Sequence, residues 1–203
     1  MRRLLLAGWM CIGLLGLGAA GAAAQDAAPG AFARAGFSAR GIAMGNALVA
    51  DATGDASPYY NPALAATSTG QNVALSAAFL SMGRELQFLQ FATPIRPSAG
   101  VAVGLIHAGV EGIDGRDSDG YHTQDYSTDE FALSLAFGNR FGGRIAAGAA
   151  LKLYRADLLD TVEPPLTLGI DVGATYAVTG ALQLGLVVGD VLARYNWDTS
   201  QAF

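Results

Sequence analysis

The stretch Pro165-Leu166-Thr167-Leu168-Gly169-Ile170-Asp171-Val172-Gly173-Ala174-Thr175-Tyr176-Ala177-Val178 decides the fold. Leu166, Leu168, Ile170, Val172, Ala174, Tyr176 and Val178 recur at every second position, and Thr167, Gly169, Asp171, Gly173, Thr175 and Ala177 fill the gaps. A period of two puts alternate side chains on opposite faces of an extended strand. One face is therefore large and aliphatic, the other small and weakly polar.

The pattern spreads upstream and downstream. Ile145, Ala147, Ala149, Leu151 and Leu153 alternate with Arg144, Ala146, Gly148, Ala150 and Lys152. Phe131, Leu133, Leu135 and Phe137 oppose Ala132, Ser134, Ala136 and Gly138, while Leu182, Leu184, Leu186 and Val188 oppose Gln183, Gly185, Val187 and Gly189. Val73, Leu75, Ala77 and Phe79 form a shorter version; Leu86–Phe91 and Val101–Val110 are less regular. About seven strands result, several of the roughly 9–11 residues a tilted strand needs to cross a bilayer. A soluble sandwich would carry many Lys and Glu on its outer face. Here the face opposite the aliphatic one is Gly, Ala, Ser and Thr, which suits a narrow lumen. The expected class is all-β: an antiparallel transmembrane β-barrel over 71–203. A soluble periplasmic β-protein is the alternative, recognised by extraction without detergent.

Composition narrows the classes. The chain is 52% hydrophobic and 14% charged. Arg2 and Arg3 precede an apolar run from Leu4 to about Leu17, and Ala22-Ala23-Ala24 precedes Gln25, the order of a cleaved signal peptide over 1–24. Cys11, the single cysteine, lies inside that run, so a processed chain forms no disulfide. Loss of Arg2 and Arg3 leaves 10 basic residues against 17 acidic, a net charge of −7 that disfavours nucleic acid. No 18-residue apolar stretch follows Ala24, which excludes helical membrane spans.

The connections alternate in length from the second turn onward. Turns near Pro94–Ala99, Asn139–Gly143 and Thr179–Ala181 read as short; Glu111–Thr128 and Ala156–Pro165 read as long, and another long one is expected after Asp190. Short periplasmic turns and long external loops have that asymmetry. The Ser81–Arg84 connection is very short for an external loop. Residues 25–70 show no alternation; their low charge and the Tyr59-Tyr60 pair favour packing inside the lumen. Asn61-Pro62 reads as an N-cap with proline at the first helical position, starting a short helix at Ala63–Ala66.

Two runs carry a resemblance. Ser38-Ala39-Arg40-Gly41-Ile42-Ala43-Met44-Gly45-Asn46-Ala47, followed by Asp55-Ala56-Ser57-Pro58-Tyr59-Tyr60-Asn61-Pro62-Ala63, resembles the N-terminal hatch of the PorV/PorQ family, itself similar to the FadL hydrocarbon transporters. Gly148–Tyr154, Gly169–Gly173 and Asp190 with Asn196-Trp197 resemble barrel strands of the same family. The likeness covers most of residues 35–200. It implies a hatch over 25–70, with motif residues Arg40, Gly41, Met44, Gly45, Asn46, Tyr60, Asn61, Pro62 and Ala63. It implies a barrel of about 14 strands, of which about seven are present here. A truncated chain is the simpler expectation, assembly with another chain the alternative. Localisation in the cell outer membrane follows, with outer-membrane lipid as surroundings. A role in type IX protein secretion, with secreted cargo proteins or secretion-machine subunits as partners, is one implied function. A FadL-like channel for hydrophobic small molecules, such as long-chain fatty acids, is the other.

Other chemistry is thin. Lys152 and Asp171 share the small face, and a hairpin centred near Asp160–Val162 would bring them roughly opposite one another; such a pair could anchor the hatch. Asp114, Asp117, Asp119, Asp125, Asp129 and Glu130 crowd the longest loop. Asp117-Ser118-Asp119-Gly120 resembles an EF-hand core, but Gly115 stands where the first ligand is needed and Tyr126 at the bidentate position, so a solvated acidic loop is expected and no metal. His107, near a strand end, and His122 have no triad partners in the sequence, and no Gly-x-Ser-x-Gly elbow occurs. No enzyme activity, catalytic residue or cofactor is expected. Tyr154, Tyr176, Phe137, Phe141 and Trp197, near strand ends, suit an interfacial girdle.

Overall fold

The computed structural model describes residues 29–53, 57–158 and 165–195. The expected signal peptide, Cys11, Trp197 and the centre of the 156–165 loop lie outside the described residues. Seven strands, β1 (Asn72–Leu80), β2 (Arg84–Ile95), β3 (Ala99–Arg116), β4 (His122–Phe141), β5 (Ile145–Asp157), β6 (Leu166–Ala177) and β7 (Gln183–Val191), form one antiparallel sheet in sequence order. The all-β expectation holds.

Register turns the period of two into rows. Leu75, Leu89, Leu105, Leu133, Leu153 and Leu168 are successive cross-strand partners from β1 to β6. This row faces outward: Leu75 is 79% exposed, Leu133 45% and Leu168 57%. The opposite face holds the core. Its rows include Ala92, Ala102, Ala136 and Ala150, all buried and in mutual contact. Large apolar groups cover the outer face, while the inner face is small along these rows and carries a cluster of larger buried groups, Leu86, Phe88, Ile106 and Tyr154, elsewhere.

The N-terminal segment, expected as a hatch, lies over the small face. It contains a 3-10 turn at Ala31–Ala35, a helix at Ser38–Ala43, a helical turn at Ser57–Tyr60 and a second 3-10 turn at Pro62–Thr67. The helix expected at Ala63–Ala66 is thus one residue longer at each end and of 3-10 type. Asn61 caps it as expected, its side chain accepting from the Ala63 N–H at 3.0 Å. Phe37 stacks on Phe88 of β2 (5.0 Å, 22°), and Tyr59 meets both rings edge-on. That packing explains the irregular alternation of β2. Its inward positions Leu86, Phe88 and Gln90 are large because the hatch covers them.

Three expectations are corrected. Residues 111–128 are not a loop: β3 and β4 continue through them, with Ile113 opposite Tyr126, Asp114 opposite Asp125 and Arg116 opposite His122. Two register shifts, at Val110/Ile113 and Asp114/Arg116, spoil the alternation there, and only the turn beyond Arg116 is irregular. His107 therefore lies in the middle of β3, not at its end. Tyr154 does not belong to an outward girdle. It is 1% exposed and points inward, as its even-numbered position on β5 requires. Tyr176, Phe137 and Phe141 do face outward.

Candidate functional site

The site is the seam between hatch and sheet. Its floor is a row of glycines, Gly100, Gly138, Gly148 and Gly173, aligned across β3 to β6. The Pro62–Thr67 turn lies directly on them. A Cβ on Gly148 would approach the Pro62 carbonyl carbon to 2.5 Å, and one on Gly138 would approach the Pro62 oxygen to 2.7 Å. On Gly100 it would fall on the Ala65 oxygen, and on Gly173 against the Asn61 amide. Only a side chain of one hydrogen allows backbone to approach backbone this closely.

Asn61, fully buried, locks the seam. Its Nδ2 lies 2.8 Å from the Val49 oxygen, 3.2 Å from the Ala174 oxygen and 3.4 Å from the Leu186 oxygen. One amide thus ties two parts of the hatch to neighbouring carbonyls of β6 and β7. Pro62 and Ala63 are buried beside it.

The other motif residues hold the hatch to itself. The Tyr60 hydroxyl accepts from the Phe37 N–H at 3.0 Å and lies 3.1 Å from Asn46 Oδ1. Burial pushes the Tyr60 phenol up. Gly41 is buried, and a Cβ there would strike the Tyr60 hydroxyl. Gly45 and Asn46 have φ of 58° and 64°, the left-handed region in which Gly and Asn are tolerated, and turn the chain after the Ser38–Ala43 helix. Asn46 Nδ2 donates to the Arg34 oxygen at 3.0 Å. Arg40 Nε donates to Asp51 Oδ2 at 2.6 Å. Burial alone would raise the Asp51 carboxyl, but hydrogen bonds from Thr53, then Arg40, bring it below its ordinary value. Met44 is left 42% exposed.

Beneath the hatch lies a charged cluster. Lys152 Nζ is 2.7 Å from Asp171 Oδ2 and 3.5 Å from Asp190 Oδ1. The expected pairing is present, offset by two residues: Ala150 is opposite Asp171, and Lys152 is opposite Gly169. The alternation of β7 gives no sign of Asp190 at this place. A register shift in the β6–β7 ladder, between Ile170 and Val172, adds one residue to β7 and turns Asp190 inward. There its N–H donates to Asp171 Oδ1 at 2.7 Å, and its carboxylate accepts from the Tyr154 hydroxyl at 2.5 Å. Tyr59 of the hatch completes the cluster, its ring centroid 5.1 Å from Lys152 Nζ.

The other expected residues lie apart. At the tip of the β3–β4 hairpin, His122 Nδ1 and Arg116 Nη2 hold Asp114 at 2.7 and 2.5 Å. The His122 contact, then the Arg116 one, lowers the Asp114 carboxyl, and Asp114 raises His122. Asp125 stands directly opposite Asp114, with these exposed carboxylates and His122 within 4.8 Å of one another. Asp117 Oδ1 accepts from the Asp119 and Tyr121 N–H groups and so closes the turn. Asp129 is bound to His107 Nε2 at 2.7 Å, and that imidazole stacks on Phe131.

Hollows lie on both faces of the sheet. One of about 610 Å³ separates the first hatch turn from the end of β7, between Arg34, Arg194 and Val191–Ala193. One of about 260 Å³ underlies the sheet end that carries the short turns, between Arg140, Arg144, Gln183 and Thr67. The third, of about 280 Å³, is an apolar dent on the outward face between Ile145, Ala174, Tyr176, Leu184 and Leu186.

Comparison with protein families, with curated proteins and with solved structures finds no match for the chain.

Proposed function

We propose that the chain is an outer-membrane β-barrel protein of PorV/PorQ type, with residues 25–70 as a hatch inside the lumen and a role in type IX protein secretion. The observation that carries the membrane reading is the outward leucine row backed by buried alanine and glycine rows. Water opposes such an arrangement at about 25 cal/mol per Å² of apolar surface, and hydrocarbon does not. Between Asn139 and Asp129 the outward positions of β4 are Phe137, Leu135, Leu133 and Phe131. Ten residue steps are about 33 Å of strand; at a tilt of about 40° they rise about 25 Å, the height of an outer-membrane apolar band. The secretion role rests on the hatch wording, in which Asn61 ties the segment to β6 and β7 and Tyr60 ties it to itself.

Fractionation tests this. The mature chain should sediment with outer membrane and need detergent for release; a water-soluble monomer overturns the reading. Cross-linking from Tyr121, at the exposed hairpin tip, should capture exported protein. A FadL-like channel is the second reading, favoured by the 610 Å³ hollow, where Arg34 and Arg194 outnumber the one carboxylate, Asp190, beside apolar Val191 and Leu192. Fatty-acid binding without cargo capture would select it.

A further inference from the structure

The two ends of the sheet differ in charge. The end with the long β3–β4 hairpin carries Glu111, Asp114, Asp125 and Asp129 among other carboxylates. The opposite end, formed by the turns after β2, β4 and β6, carries Arg96, Arg140 and Arg144, all exposed. Among the described residues of the sheet and its turns, that end has no carboxylate. Arg96 and Arg144 have no ion-pair partner among the described residues, and Arg140 donates to the Ala66 carbonyl. Three guanidinium groups therefore project a positive field with nothing on the sheet to neutralise it.

Two of the hollows lie at this end, the polar cleft on the inward side beside Thr67 and Thr69 and the apolar dent on the outward face. Arg140 and Arg144 line the polar cleft under the rim, and Ile145, next in the chain, lines both that cleft and the apolar dent on the outward face. The Arg144 carbonyl accepts from the Ala177 N–H at 2.8 Å, which fixes the backbone of this arginine beside the dent's lower edge. The dent exists because the small Ala174 falls between the large outward groups Ile145, Tyr176, Leu184 and Leu186.

We propose that this rim binds an anionic glycerophospholipid, with the phosphate on Arg144 and an acyl chain in the Ala174–Leu186 dent. The inference rests on the outer-membrane reading, since it places the rim at a lipid leaflet. A cationic side chain at an anionic membrane surface strengthens binding about fivefold. The guanidinium suits phosphate because its planar fork donates two parallel hydrogen bonds.

The test uses the mature chain in neutral detergent, titrated with phosphatidylglycerol or with phosphatidylcholine of the same chains, with bound lipid read by native mass spectrometry. Phosphatidylglycerol should bind at least fivefold more tightly. Arg144→Gln should remove about fivefold of that affinity and leave phosphatidylcholine unchanged. Ala174→Leu, which fills the dent and leaves the backbone as it is, should weaken both lipids. Excess glycerol 3-phosphate should not displace the bound lipid, because it lacks the chain. Equal affinity for the two lipids, or wild-type binding by either variant, overturns the proposal, as does displacement by glycerol 3-phosphate. A chain that stays in water without detergent overturns the outer-membrane reading as well; one that needs detergent and shows no lipid preference overturns this inference alone.

Discussion

Lys152 shows how much a single side chain can carry. It is 7% exposed, within 4 Å of two carboxylates and beneath an aromatic ring. Removing one partner of a buried ion pair leaves the other uncompensated, at a cost of about 3–5 kcal/mol. Lys152→Met should therefore lower the unfolding free energy, measured by urea denaturation in lipid vesicles, by about that amount. Adding Asp171→Asn, which keeps an acceptor for the Asp190 N–H, should restore most of the loss; a double variant as unstable as Lys152→Met would show that the pair is not the cause. Half of this cluster is legible in the sequence, because Lys152 and Asp171 share a face under the period of two. Asp190 and Tyr154 are not. A bulge that the alternation of β7 does not announce turns Asp190 inward. Tyr154 has the sequence position of a strand-end aromatic, although its parity already points inward.

At the scale of elements, the contact that matters is a 3-10 turn lying on a glycine row. Gly148→Val should leave the strand intact, since a β-branched residue suits a strand, but its Cβ meets Pro62 backbone and the turn must lift. Asn61→Ala should loosen the same seam by a different route, losing contacts to Val49, Ala174 and Leu186 worth about 1 kcal/mol each. Both variants should speed trypsin cleavage after Arg34 and Arg40 without changing far-ultraviolet circular dichroism; cleavage at the wild-type rate in both would mean the hatch is held elsewhere. The Asn61-Pro62 cap can be read from two adjacent residues. The glycine row cannot. Its members are separated by 10 to 38 positions in the chain, and only the register of four strands brings them together. Residues 111–128 fail in the opposite sense. Gly112, Gly115, Gly120 and the aspartates are loop formers by local rule, yet Asp114 and Asp125 pair in a ladder that continues past the apolar rows, with Gly112 and Gly115 at its register shifts.

For the molecule as a whole, the sheet is a wall with a depth profile. Leu151 lies in the middle of the outward face and Leu166 one row short of its acidic end, where it pairs with Arg155. In a bilayer, Leu151→Arg should cost about 2–4 kcal/mol and Leu166→Arg about 0–1, read as the difference in folding free energy into vesicles. Equal costs would remove the apolar band as an explanation for the exposed leucines. The wall is the most legible part of the chain, because the period of two fixes which side chains share a face before any pairing is known. Its chemistry also leaves the molecule a private label. The sequence holds one lysine, so apart from the amino terminus an acylating dye finds one primary amine, and that amine sits under Tyr59 with the hatch for a lid. Colour at Lys152 would report, in an otherwise unmodified protein, that the lid had been raised.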